Sequence, residues 1–149
     1  MIGNHDERVY RLAASVNIPA RFIKDYSDQW NTPRWSWLRE KLIDDVMYTH
    51  GTGSGGKTPA LNRATASLVS TVMGHVHSRG GIAWAAGPTT RLFGMDTGCG
   101  VDITHPAMAY GKQMISKPIL SCGVVIDGHP YHEMMPHDRG ETYHRSRFK

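Results

Sequence analysis

Apolar residues first recur at helical spacing, at Val9, Leu12, Ala13 and Val16, behind an acidic turn at Asp6. That pattern predicts a helix capped at Asp6 or the turn before it and running to about Val16, with those four positions facing a core. Residues 17–37 lose the period: Pro19 and Pro33 interrupt them, and Trp30, Trp35 and Trp37 supply apolar mass for packing. Residues 38–43 read as a short helix. Val46-Met47-Tyr48 then reads as a short buried strand that runs into His50-Gly51.

A glycine-rich turn follows, and Thr58-Pro59 places proline where a helix favours it, at the first position. The helix is expected to run to about Leu68. Ser70 to Met73 forms the next strand and delivers Gly74-His75-Val76-His77. Beyond it, the apolar runs 82–86, 91–95, 120–126 and 131–135 alternate with turns. Asp127-Gly128 is a hairpin signal between the last two. Strand ends, helix, strand ends, helix and a run of strands define an α/β class, in which loops at one sheet edge present side chains. Residues 1–135 form one domain on this reading, and residues 136–149 a polar tail.

Composition narrows the picture a little. The chain has 149 residues, 40% of them hydrophobic and 20% charged, which is ordinary for one globular domain. Sixteen glycines and eight prolines point to many turns and loops and argue against an all-helical bundle. The formal charge of +4 is mildly basic. The nearest thing to a cluster is Arg139, Arg145, Arg147 and Lys149, read first as a solvated end and second as a hold on a polyanion. Cys99 and Cys122 lack metal-ligand spacing and read as buried free thiols. With no signal, transit or membrane-spanning pattern, a reducing cytoplasm is the expected setting.

Three segments carry candidate chemistry: Gly3-Asn4-His5-Asp6, His50-Gly51 and Gly74-His75-Val76-His77. Each is expected to follow a strand, and strand ends converge in space. Neutral imidazole and amide oxygen suit manganese, iron, nickel or zinc, and His-x-His can turn two rings toward neighbouring ions. One histidine alone is more often an ordinary surface or core residue. Three such blocks in this order are harder to dismiss.

These blocks resemble the calcineurin-like metallophosphoesterase family, whose motifs run Asp-x-His, Gly-Asp-x-x-Asp, Gly-Asn-His-Asp/Glu, His and Gly-His-x-His. The likeness extends from Met1 to about Met135. Residues 94–100 and 123–128 look like the phage-encoded branch, for which the setting would be host-cell cytoplasm. The resemblance implies a partial metallophosphoesterase-like β-sandwich flanked by helices. It implies Asn4, His50 and His75 as ligands of one metal and His77 as a ligand of the other. It also implies His5 as general acid or electrostatic stabiliser at the leaving group, Asp6 orienting the His5 ring, and substrate contact at Asn4. The implied reaction is hydrolysis of a phosphomonoester or phosphodiester, nucleic-acid ends included, by a metal-bound hydroxide.

Only Met1 and Ile2 precede Gly3, so the motifs Asp-x-His and Gly-Asp-x-x-Asp do not stand ahead of it here. The complete family site holds two ions, and this chain alone is expected to hold one or none. Asp96 and Asp102 are candidate replacement carboxylates. An open sheet edge is expected, covered by a separately encoded N-terminal half or by self-association.

Two other readings compete. Gly51-Thr52-Gly53-Ser54-Gly55-Gly56-Lys57-Thr58 fits the P-loop pattern, with Lys57 reaching a phosphate and Val124-Val125-Ile126-Asp127 as a Walker B strand. Against it stand Pro59, which removes an amide from the helix start, and the strand-rich C-terminal half. In the phosphoesterase reading the loop is a flexible rim, and Lys57 still meets substrate. The other alternative is a catalytically inactive binding or assembly module. Trp84 is expected to pack, and His105, His129, His132, His137 and His144 are not assigned as ligands.

Overall fold

The computed structural model describes residues 1–101 and 115–135, so Asp102, His105 and the basic tail lie outside the described residues. The chain is mixed α/β. Helix α1 spans Arg8–Ser15, a 3-10 turn Ala20–Phe22, and α2 Tyr26–Gln29. Strands β1 (Glu40–Ile43) and β2 (Val46–Thr49) follow, then α3 (Pro59–Ser67) and β3 (Ser70–Met73). Strands β4 (Gly80–Ala86), β5 (Arg91–Thr97), β6 (Ser121–Ile126) and β7 (His129–Met134) complete the order.

Five strands form one sheet in the order β1-β2-β3-β5-β4. The central three, β2, β3 and β5, run parallel, while β1 and β4 lie antiparallel at the edges. Helix α3 crosses over between β2 and β3, the kind of long connection that two parallel neighbours require. Proline at its start and Leu68 in the left-handed conformation at its end bound it.

The two sheet faces carry different cargo. Val46, Val72, Phe93 and Met95 form the buried cluster, with Tyr48, Ile82 and Val125 packed on it. Val125 comes from β6, which pairs with β7 as a separate two-stranded ribbon across that face. The opposite face meets α3 at Gly94, where a Cβ would lie 2.0 Å from the Leu61 nitrogen. The layers are therefore helix, sheet and hairpin.

Several expectations change. Residues 38–43 are not a helix: Glu40–Ile43 is an edge strand with every side chain exposed. It pairs with β2 because Asp44 and Asp45 both take positive φ, 51° and 58°, as a two-residue hairpin turn requires. Asp127-Gly128 makes the same kind of turn between β6 and β7, as expected. Helix α1 buries only Ala13 of its own residues, and Val9, Leu12 and Val16 are exposed. Its periodicity is real, but among the described residues no layer covers that stripe. Asp6 does not cap the helix through its first-turn amides; its carboxylate accepts the Gly3 N–H at 2.8 Å and closes the turn before it.

Asp96 is 8% exposed and faces α3. One carboxylate oxygen accepts the Ala60 N–H at 3.3 Å, satisfying an orphan donor at the helix start. Its other oxygen is buried without a hydrogen-bond partner. Burial raises its pKa above 3.8, against lowering by the Ala60 bond and by Arg79. A carboxyl raised in the folded state contributes stability in full below the unfolded value and loses it as pH rises through the folded value. Asp96→Asn keeps an acceptor for Ala60 and removes a buried charge. Its melting temperature relative to wild type should therefore rise between about pH 4 and about pH 7. A variant whose relative stability falls over that interval would refute the argument.

Candidate metal centre

Strand β2 ends at Thr49 and β3 at Met73, directly paired, so the residues that follow leave the sheet side by side. His50 and His75 emerge there, at the carboxyl ends of parallel strands, the usual ligand-binding edge of such sheets. Their rings meet edge to face with centroids 4.9 Å apart. His75 Nδ1 lies 3.0 Å from His50 Nε2, and the same His50 nitrogen lies 2.7 Å from Asn4 Oδ1.

The Asn4 segment reaches this point differently from the expectation. It does not follow a described strand; Ile2 donates its N–H to the Leu38 carbonyl at 2.7 Å, and a tight turn begins at Gly3. Gly3 lies on the His50 ring, and a Cβ there would stand 2.9 Å from Nδ1. Arg11, one helical stretch on, donates to the Asn4 carbonyl at 2.7 Å. Asn4 is thus held from both sides: its turn is closed by Asp6 and its carbonyl by Arg11.

Three lone-pair atoms from separate segments converge here. A proton on His50 Nε2 can point at the amide oxygen or at His75, and it satisfies one of them well. A cation would satisfy all three. The 3.0 Å separation of the two imidazole nitrogens matches adjacent ligands of an octahedral ion with metal–ligand distances of about 2.1 Å, while the 2.7 Å contact with Asn4 is a hydrogen bond that an ion would open slightly. The donor set fits a divalent transition metal. Among the described residues there is no group of three or more His, Cys, Asp or Glu side chains placed to hold an ion, so the cluster consists of two imidazoles and an amide.

Protonation states suit the same use. His50 is lowered from 6.5 by burial first, then by His75, against a raising contribution from Asp6. His77 is lowered by burial, then by His75 and His5. Both remain in the neutral, metal-binding form at neutral pH. His77 sits half-buried with its carbonyl accepting the Ile119 N–H at 2.8 Å, while His5 is exposed to solvent. Asp96 turns toward α3 and does not join the histidines.

The glycine-rich loop is where a P-loop would be, between β2 and α3 in a parallel strand-helix-strand unit. Its electrostatics oppose that use. The Asp96 carboxylate occupies the first amide of α3, the place where phosphate oxygens would bind. Val124 to Asp127 belong to the separate hairpin, with Asp127 in its turn rather than beside β2. Lys57 is exposed on the loop.

Sequence reasoning missed Gly3 as the backing of His50 and Arg11 as the support of Asn4. The only signal for Arg11 was its two-turn offset from Asn4. Compared with known proteins, the chain matches no family model, no curated protein and no solved structure.

Proposed function

We propose that this chain carries the histidine-rich half of a metal-dependent phosphoesterase site, for hydrolysis of phosphomonoesters or phosphodiesters. The observation that carries the reading is the contact of His50 Nε2 with both Asn4 Oδ1 and His75 Nδ1. Asn4, His50 and His75 would hold one ion, manganese, iron, nickel or zinc, and His77 would face a second. When bound, such ions polarise a phosphoryl oxygen and acidify a water at neutral pH. His5, exposed to solvent, would give a proton to the leaving oxygen. Asp6 acts on His5 through the turn that it closes at Gly3, which fixes the backbone of the Asn-His pair. The layered fold is consistent with part of a metallophosphoesterase sandwich, with the carboxylate-bearing part supplied by a longer chain or a second polypeptide.

Among the described residues no helix is long and apolar enough to cross a membrane. Cys99 and Cys122 are free, which suits a reducing cytoplasm as the place of action.

The test is hydrolysis of p-nitrophenyl phosphate and its bis-ester with added manganese. The chain is assayed alone and with a polypeptide bearing Asp-x-His and Gly-Asp-x-x-Asp. Turnover in either arm, abolished by His75→Ala, is expected. Manganese binding without turnover in both arms would replace this reading with an inactive binding module. Tight nucleotide binding lost in Lys57→Ala would replace it with the P-loop.

A further inference from the structure

The indoles expected to pack are instead largely open. Trp35 is 69% exposed and Trp30 58% exposed. Both lie against Trp37, at ring separations of 6.3 and 6.5 Å and interplanar angles of 32° and 19°. Trp37 in turn stacks on Tyr26 at 5.4 Å, and Tyr26 meets Tyr10 at 5.0 Å. Five rings thus form a continuous ladder whose outer members present free faces.

Its inner end borders a cleft beside the metal centre. Glu7, Tyr10, Arg11, Ala14, Tyr26 and Arg39 line a cavity of about 380 Å³. Arg11 is the same residue that holds the Asn4 carbonyl, so this cleft is linked to the histidine cluster through Asn4. The ladder segment carries Arg21, Lys24 and Arg34 against Asp25 and Asp28 over residues 20–39, with Arg39 ion-paired to Glu7 at the cleft. The Asp25 carboxylate is already engaged by the Asp28 N–H and the Ser27 hydroxyl.

We infer that the ladder is a base-stacking platform, and that the substrate is a phosphoester of single-stranded nucleic acid. This rests on the phosphoesterase reading of the neighbouring cluster. Flat aromatic faces with interleaved cations fit bases on a polyanionic backbone, whereas an aliphatic protein partner would need no such charge. Every base has a π-face, so recognition is tolerant of sequence and sensitive to salt. Trp30 and Trp35 stack exposed bases, Arg34 meets the backbone, and the Tyr10–Tyr26 cleft takes the base nearest the metal centre.

The experiment uses the full chain in EDTA at low salt, with fluorescein-labelled oligothymidylate and a matching abasic oligomer followed by anisotropy. Wild type should bind the thymidylate, and a Trp30→Ala/Trp35→Ala variant should bind it at least about tenfold more weakly. The variant should bind both oligomers alike. Its melting temperature, measured in parallel, should be unchanged because both indoles lie outside the core. Equal binding of thymidylate by the variant and wild type, equal binding of both oligomers by wild type, or no binding by wild type overturns the inference. Hydrolysis of the aryl phosphate with manganese, assayed on the same preparations alone and with the polypeptide bearing Asp-x-His and Gly-Asp-x-x-Asp, separates the two claims. Turnover with no base-dependent binding refutes the platform alone, and base-dependent binding with no turnover refutes the catalytic reading alone.

Discussion

Replacing Gly94 with alanine should lower the melting temperature by about 10 °C, corresponding to a loss of about 3 kcal/mol for a domain of this size. A Cβ at this position would stand 2.0 Å from the Leu61 nitrogen and 2.3 Å from both the Ala60 carbonyl carbon and Leu61 Cα. All three are backbone atoms, so no side chain can rotate away. Relief requires α3 to lift from β5. Lifting α3 also stretches the bond from Ala60 to Asp96, leaving a buried carboxylate with even less support. Ala60 and Ala64, fully buried under the helix, lose their packing at the same time. Gly55→Ala is the matched control, since nothing lies within 4 Å of its added methyl group. Thermal unfolding followed by circular dichroism decides the matter. A fall at Gly94 no larger than that at Gly55 would mean that the helix is not seated on the strand as described.

Some of this architecture was legible because single residues carry it. Pro59 marked the start of α3, Asp127-Gly128 the β6–β7 turn, and the apolar run at Ser70–Met73 the central strand. Strand β1 was hidden by two things at once. Leu38, Leu42 and Ile43 mimic a helical face, and the Asp44-Asp45 turn lacks the glycine by which such turns are usually recognised. Helix α1 was legible as a helix but not as an exposed one, because a periodic stripe says which side is apolar and not what covers it. The tryptophans show the same limit: composition supplied the rings, and only the fold showed two of them facing solvent. At the metal centre, His50 and His75 could be read from their places after two strands. The contacts of Gly3 with His50 and of Arg11 with Asn4 join residues through tertiary placement, which no local spacing encodes.

The remaining large effect is expected at His50. Substituting it with alanine should weaken manganese or zinc binding at least about 100-fold in isothermal titration, more than the loss from His77→Ala. The reason is positional. His50 Nε2 is the atom that touches both other donors, Asn4 Oδ1 at 2.7 Å and His75 Nδ1 at 3.0 Å. Its removal leaves an amide and one imidazole with no common neighbour, whereas the His77 ring is hydrogen-bonded to none of the three. Gly3 fixes the ring from behind, so Gly3→Ala should produce a smaller loss in the same direction by displacing Nδ1, which a Cβ would approach to 2.9 Å. This order of effects distinguishes a metal centre from a chance group of histidines, whose members would contribute alike. Equal losses at His50 and His77, or affinity unchanged in His50→Ala, would sink the assignment of Asn4, His50 and His75 to one ion.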